Sequence, residues 1–298
     1  MIQMIYEPNP HGGKMTIVCF VSGSGTNYER IVQRDPDHSY VVFTNRPDCE
    51  GVNKARANNH ITIELSHLPY LKAARDRYGS MSVPRSCPER VRFEQDVWRL
   101  IEDRSEKAPD LICLAGYDQW LTDWTVDKYY PKILNIHPGD TAKGHSGLHW
   151  IPAAKAILAG DTEIRSTLFI VDKGEDTGPV LAQSRPLQIV PTLRALESEG
   201  TKGLVDGFEE VTGFAKKHTV SSYGDFEKSA DAELKAVMKR ICENLQSALK
   251  VAGDWELYPF VVHALLARGR VKVIDRTVYI DGRQMPDHGY RMDQELLE

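Results

Sequence analysis

MTIVCFVSGSGTNYERIVQR, residues 15–34, decides the fold. Met15 to Val21 is a nearly continuous apolar run, too short for a helix and closed by Ser22-Gly23-Ser24-Gly25. Such a run reads as a strand buried on both faces of a parallel sheet. Thr26-Asn27 lead into a helix-like stretch over Tyr28–Arg34, so strand, glycine turn and helix follow in the order that starts a βαβ unit.

The same alternation continues along the chain. Tyr40–Phe43, Asp110–Ala115, Lys132–Ile136 and Thr167–Val171 read as further strands, with helix-like stretches at Gly51–Asn58, Arg90–Arg104 and Ile151–Leu158. The expectation is an α/β fold: a Rossmann-like, mostly parallel sheet with helices on both faces. In such sheets ligands bind beyond the carboxyl ends of the strands, so the residues that follow each strand carry the chemistry. The pattern loosens from Val190 to Gly224. Phe226, Ala230, Leu234, Val237, Ile241, Leu245 and Ala248 then recur at spacings of three and four, one apolar face of a long C-terminal helix. Val271–Ile274 and Thr277–Ile280 flank Asp275-Arg276 as a closing β-hairpin. Residues 1–14 contain Pro and Gly and no apolar signal-peptide core, so they read as an N-terminal tail. Residues 15–298 are expected to form one α/β domain.

Composition narrows the function classes. Of 298 residues, 41% are hydrophobic and 27% charged, the balance of a folded soluble chain. Forty-two acids against 37 bases give a formal net charge of −5, without the basic excess that extended nucleic-acid contact requires. Small anions remain possible ligands, because a nest of backbone amides holds phosphate on an acidic protein. Five widely spaced cysteines with no C-x-x-C pair suggest neither a disulfide framework nor a zinc-thiolate site. No apolar run reaches the length of a membrane span, so a cytoplasmic location is expected. His145 and His149 form an H-x-x-x-H pair without a nearby acidic partner, and no metal is expected.

Three segments could carry chemistry. Gly23, Ser24, Gly25, Thr26 and Asn27 follow the first strand and open a helix, where free amides suit a phosphate; packing alone is an equal explanation for the glycines. The spacing fits neither the dinucleotide G-x-G-x-x-G nor the P-loop pattern. Asn135-Ile136-His137-Pro138 closes the KILNI strand, and a period of two puts the Asn and His side chains on one face. An amide donor beside an imidazole suits an oxyanion and a mobile proton, although a single His before Pro also reads as a turn cap. Asp172, Glu175 and Asp176 precede Thr177-Gly178-Pro179, either an ordinary turn or a carboxylate that folds back toward His137 and raises its pKa.

Taken together, VSGSGTN (21–27), D-LICLAG (110–116), LNIHP (134–138), SGLH (146–149), EDTGPV (175–180), LYP (257–259) and DGRQMPDHGY (281–290) resemble the glycinamide ribonucleotide formyltransferase family. The resemblance implies a folate-dependent formyl transfer to a small phosphorylated amine, with 10-formyltetrahydrofolate as donor and no metal. It implies catalysis by Asn135, His137 and Asp176. The Gly23–Asn27 loop would take the substrate phosphate, and Asp254 would stand where the family has a longer Glu on the ribose. It places Arg90, Tyr117, Asp118, Gln119, Trp120 and Leu121, with Asp172 and Glu175 of the 172–176 loop, around the folate. Nucleic-acid and membrane partners are not implied; a monomer or homodimer is.

Two motifs depart from the family. Gly139-Asp140-Thr141-Ala142 replaces S-L-L-P after NIHP, and Tyr117-Asp118-Gln119-Trp120-Leu121 replaces F-M-R-I-L after LAG. A stretch of about 190–233 has no counterpart in a compact family member and reads as an insertion, as does 68–88. The alternatives are a formyltransferase for another amine, such as a nucleotide-linked amino sugar, and a non-catalytic relative that binds a phosphorylated metabolite.

Overall fold

The computed structural model describes residues 2–8, 13–80 and 83–294. The chain divides into two compact units, each drawn from three stretches. The first takes Met1–Ile136, Phe169–Pro179 and Tyr258–Met285; the second takes His137–Leu168, Val180–Leu257 and Pro286–Glu298.

In chain order the first unit contains β1 Ile2–Met4, β2 Thr16–Val21, α1 Thr26–Arg34, β3 Ser39–Thr44, α2 Glu50–Ala57, β4 Ile61–Glu64, α3 Leu68–Tyr78, α4 Pro88–Arg104, β5 Leu111–Leu114 and α5 Asp123–Tyr129. The strand β6, Ile133–His137, follows. β6, β5, β2, β3 and β4 lie side by side in that order and pair in parallel, with Ile17 opposite both Tyr40 and Leu111. Every residue of β2 and β5 is buried, the pattern of strands covered on both faces. Phe20 of β2 packs on Phe43 of β3 and Trp98 of α4, with ring centroids 4.8 and 5.5 Å apart. Tyr258, fully buried, donates its hydroxyl to the Leu134 carbonyl at 3.1 Å and so ties the C-terminal segment to β6.

The mostly parallel sheet and the closing hairpin take the form read from the sequence. Val271–Ile274 and Thr277–Ile280 pair antiparallel around Asp275 and Arg276, both with positive φ, as a two-residue hairpin turn of the mirror-image type requires. Residues 2–4, within the segment read as a tail, add a strand to this hairpin, with Ile2 opposite Ile274. Ile5 is buried beside it; residues 9–12 lie outside the described residues.

The second unit is built on helices: α6 Ile151–Leu158, α7 Ile189–Ser198, α8 Leu204–His218, α9 Tyr223–Ser229 and α10 Ala232–Leu249. The stretch 190–233 is therefore three helices rather than a loose loop. Leu193, Leu204, Val211 and Phe226 are fully buried in one core with Met238, Ile241 and Leu245 of α10. The long helix expected from Phe226 onward begins only at Ala232, because the Asp231 carboxylate accepts from the Leu234 amide at 2.9 Å and caps a new start. No described helix is long and apolar enough to cross a membrane.

Candidate functional site

In the first unit the glycine loop leaves β2 and enters α1 through Gly25, which caps the helix in the left-handed conformation at φ 63° with no side-chain cap. The α1 amides are thus left to whatever docks there. A Cβ on Gly25 would lie 2.4 Å from the Gly51 Cα, and the Gly51 amide donates to the Gly23 carbonyl at 2.8 Å. The loop therefore has a packing reason for its glycines as well as a free helix end, and Gly51 is a partner that the sequence reading did not single out. Asn27 is buried, and its side-chain oxygen has no hydrogen-bond partner. A buried polar atom of this kind is expensive to leave unmet.

The expected folate-side residues sort themselves. Arg90, Tyr117, Gln119 and Trp120 line one cleft of about 310 Å³ with His67, Tyr70, Leu71, Phe93 and Glu94. Arg90 is steered by donating to the Trp120 carbonyl at 2.7 Å. Glu94 is buried and accepts from the Thr122 amide (2.7 Å) and from the hydroxyls of Thr122 and Thr125 (both 2.5 Å). Burial pushes its carboxyl up despite those donors. Burial, then Glu94, keep the Tyr117 phenol neutral far above its ordinary range. Aromatic walls with a carboxyl, an amide and a guanidinium at the edge suit a flat ring with polar edges.

Asp118 and Leu121 do not line this cleft. The Asp118 carboxylate accepts from Asn45 at 2.8 Å and from Gln119 at 3.1 Å, and pairs with Arg46. Its own amide donates to Ser22, whose hydroxyl donates to Asn45. Burial raises this carboxyl, but the hydrogen bonds and the Arg46 charge outweigh it and hold the pKa below the usual carboxylate range. The change from an apolar residue to Asp thus comes with its own partners at the ends of β2 and β3. Leu121 is buried, and its carbonyl accepts from Arg85 at 2.7 Å.

The 172–177 loop is clamped. Asp172 accepts from the Gly174 amide and the Thr177 hydroxyl, both at 2.9 Å, and from Arg276 at 2.7 Å, while Arg276 also donates to the Thr177 carbonyl at 2.7 Å. Arg85 donates to the Lys173 carbonyl. Burial raises the Asp172 carboxyl, and Arg276, Thr177 and Gly174 bring it below the ordinary range. Asp172 is therefore committed to shaping the loop, and Glu175 is exposed. Asp176 sits at φ 51°, a conformation Asp tolerates better than most residues. Gly178 follows because a Cβ there would fall 1.6 Å from the Ile170 carbonyl. Arg276 was not read as a site residue; its link to Asp172 spans 104 positions.

Asn135 is half-buried opposite Leu114 of β5. In the second unit, His137 ends β6 buried, with Nε2 3.0 Å from the His145 carbonyl. That carbonyl can only accept, so the proton at Nε2 is fixed. Gly139 makes the contact possible, since a Cβ there would lie 2.5 Å from the His145 oxygen and 2.6 Å from the Pro152 Cβ. Asp140 caps the following turn at the Ala142 and Lys143 amides and accepts from Gln183 at 2.6 Å. The departure after NIHP is thus a turn capped by Asp140 and tied to Gln183, and it brings the His145 carbonyl to the His137 Nε2. His145 does have an acidic partner, Asp161, at 2.8 Å, sixteen residues further on and so missed by a local spacing rule. Burial raises Asp161, and Lys143 and His145 pull it below the ordinary range.

Asp254 is buried and accepts from the Ser166 hydroxyl at 2.6 Å. Gly253 before it lets that hydroxyl approach, as a Cβ would be 2.6 Å away. A second cavity, of about 410 Å³, is lined by Asp140, Lys143, His145, Glu163, Arg165 and Arg291, among others.

Comparison with known proteins gives a consistent result. The model of the family described as formyl transferase matches residues 15–199. A protein of Escherichia coli (strain K12) named phosphoribosylglycinamide formyltransferase is 24% identical over 285 residues, covering 94% of this chain and 100% of that protein. One of the same name from Bacillus subtilis (strain 168) is 29% identical over 169 residues, 55% of this chain and 75% of that protein. Among solved structures, phosphoribosylglycinamide formyltransferase from Coxiella burnetii covers 94% of this chain and 99% of its own, with a TM-score of 0.59 at 23% identity. The protein of that name from Anaplasma phagocytophilum reaches 0.58 at 20% identity, over 95% of this chain and 100% of its own.

Proposed function

The chain belongs to the formyl transferase family, and on that premise we propose that it transfers a formyl group from 10-formyltetrahydrofolate to the amine of glycinamide ribonucleotide, a step of purine biosynthesis. The observation that carries the proposal is the family match over 15–199, a stretch of sequence that includes the glycine loop, Asn135, His137 and Asp176. The E. coli relative, matched over its whole length, bears the name of this activity.

Two features of the first unit fit the ligands. The aromatic cleft lined by Arg90, Tyr117, Gln119 and Trp120 suits the flat ring of the donor. The uncapped α1 start, whose first amides are free to donate, suits the phosphate of the acceptor.

The donor supplies a formyl carbon, which the amine attacks as a C–N bond forms and the bond to the folate nitrogen breaks. In this reading Asn135 donates its amide N–H to the formyl oxygen as negative charge gathers there. His137 keeps Nε2–H on the His145 carbonyl and presents Nδ1–H to the same oxygen when protonated. Asp176 favours that protonated form and, through water, takes the proton that the amine loses and returns it to the folate nitrogen as that nitrogen leaves. Gly23–Asn27 hold the phosphate by backbone amides, and Asp254 accepts from ribose hydroxyls.

A steady-state assay with glycinamide ribonucleotide and 10-formyltetrahydrofolate tests the proposal. Formylation that saturates in both substrates is expected. Binding of both ligands without turnover would overturn it.

A further inference from the structure

Away from the carboxyl ends of the strands, the first unit brings together Asp35, at the end of α1, His38, just before β3, and His263, in the C-terminal π-helical turn Phe260–Leu266. One ligand atom from each lies within 4.8 Å of the other two. The two imidazole rings stack with centroids 5.4 Å apart and planes inclined by 15°. His263 is 8% exposed. Two nitrogens in this cluster, His38 Nε2 and His263 Nδ1, are buried and hydrogen-bonded to nothing; an Asp35 oxygen lies 3.6 Å from the first. Buried polar atoms are nearly always satisfied, and two orphans facing one carboxylate ask for a common partner.

We propose that Asp35, His38 and His263 form a binding site for a divalent transition-metal ion of the zinc type, with water completing the coordination. The donor set, two imidazoles and one carboxylate, is one that zinc accepts. His263 is prepared for it: Nε2 lies 2.8 Å from the Ile31 carbonyl, which fixes the proton there and turns the Nδ1 lone pair inward, the usual outer support of a ligating histidine. His38 is less prepared, because its Nδ1 accepts a long 3.3 Å bond from the Met15 amide. Coordination through Nε2 moves the ring proton to Nδ1 and gives that bond up. Ligand atoms around tetrahedral zinc lie about 3.3 Å apart, so the group contracts by side-chain rotation, chiefly of Asp35, which is 38% exposed. Asp37 and Asp110 add negative charge near His38 and Lys14 opposes it, while Arg34 opposes the Asp35 charge at His263. Such an ion fastens the end of α1 and the entry to β3 onto the C-terminal segment, a structural role independent of the formyl-transfer reading.

The full-length protein, stripped with chelator and dialysed, is titrated with Zn²⁺ by calorimetry and with Co²⁺ by visible absorption. One ion per chain is expected, with cobalt ligand-field bands and a rise in Tm. Asp35→Asn and His38→Gln, both on partly exposed side chains, should each weaken binding at least tenfold while far-UV circular dichroism stays unchanged. His218→Gln, on an exposed histidine of α8, should leave binding as it was. Absence of saturable one-to-one binding, or equal affinity in wild type, Asp35→Asn and His38→Gln, would overturn the site.

Discussion

Replacing Gly139 by alanine isolates one contact. Its φ is not in the left-handed region, so the backbone accepts alanine and the whole effect is the added methyl. That methyl would meet the His145 carbonyl oxygen at 2.5 Å and the Pro152 Cβ at 2.6 Å. Restoring ordinary contact moves the 140–145 turn by about 0.9 Å against α6, which does not yield easily because Pro152 and Ala153 are buried. A carbonyl displaced that far from a ring nitrogen now 3.0 Å away no longer holds it. Overpacking of this size costs about 1–3 kcal/mol, and the lost hydrogen bond about 1 more. The catalytic consequence is of similar size, about 2.7 kcal/mol, because a displacement near 1 Å lowers turnover by about 10²-fold. The loss should appear in kcat more than in KM, since His137 is assigned to the transition state. The assays are steady-state formylation and thermal melting, with the nitrogen chemical shifts of His137 as a direct report on its proton. A Gly139→Ala enzyme with kcat within twofold of wild type and an unchanged Nε2–H signal would refute the role given to the His145 carbonyl.

Other outcomes follow from the same geometry. His137→Ala and Asp176→Asn should each lower kcat by about 10²- to 10⁴-fold with little change in KM; activity within a few-fold of wild type in either refutes its role. Asp118 has its carboxyl pKa depressed by Asn45, Gln119, Ser22 and Arg46 against the cost of burial, so its stabilisation is present above the ordinary carboxyl pKa and is lost as pH falls through the lower folded value. The Tm deficit of Asp118→Asn should therefore be constant over roughly pH 6–8 and shrink below about pH 4; a deficit that grows on acidification contradicts the pairing. Gly25→Ala combines φ 63° with a Cβ 2.4 Å from Gly51 and should cost about 3 kcal/mol or more in urea unfolding. Arg276→Ala should free the 172–177 loop and lower kcat with a small change in Tm, and Arg276→Lys should not restore it, because one ammonium cannot reproduce the fork that reaches both Asp172 and Thr177.

Local signals carried the architecture. The unbroken apolar run of β2 and the glycines after it announce a buried parallel strand and a helix start, and both are where Met15–Asn27 places them. Asp275-Arg276 between alternating residues likewise marks the hairpin. Missed features have two physical origins. The helices of 190–233 had a legible period, with Leu204, Phe208, Val211 and Ala215 at spacings of four, three and four, but Gly, Thr and charged residues between them diluted it. The Arg276 clamp, the Asn45–Asp118 network and the His145–Asp161 pair join residues from 16 to 104 positions apart, and no short-range rule reaches them. Asp118 shows the limit best: the family pattern places it around the folate, whereas its carboxylate is occupied by Asn45, Gln119 and Arg46.

The three-stretch make-up of the first unit has a consequence for how the chain is made. β1 at residues 2–4 has its partner at 271–274, and Tyr258 and Arg276 reach back to β6 and to the 172–177 loop. During synthesis, residues 2–4 therefore wait until residues 271–274 have emerged before this unit can close. The run from Ile189 to Leu249 contains four consecutive helices whose mutual contacts are short in sequence, and it can assemble as it emerges. Synthesis order and completion order thus differ: β1, made before the rest of this unit, is among the last of its parts to be sealed.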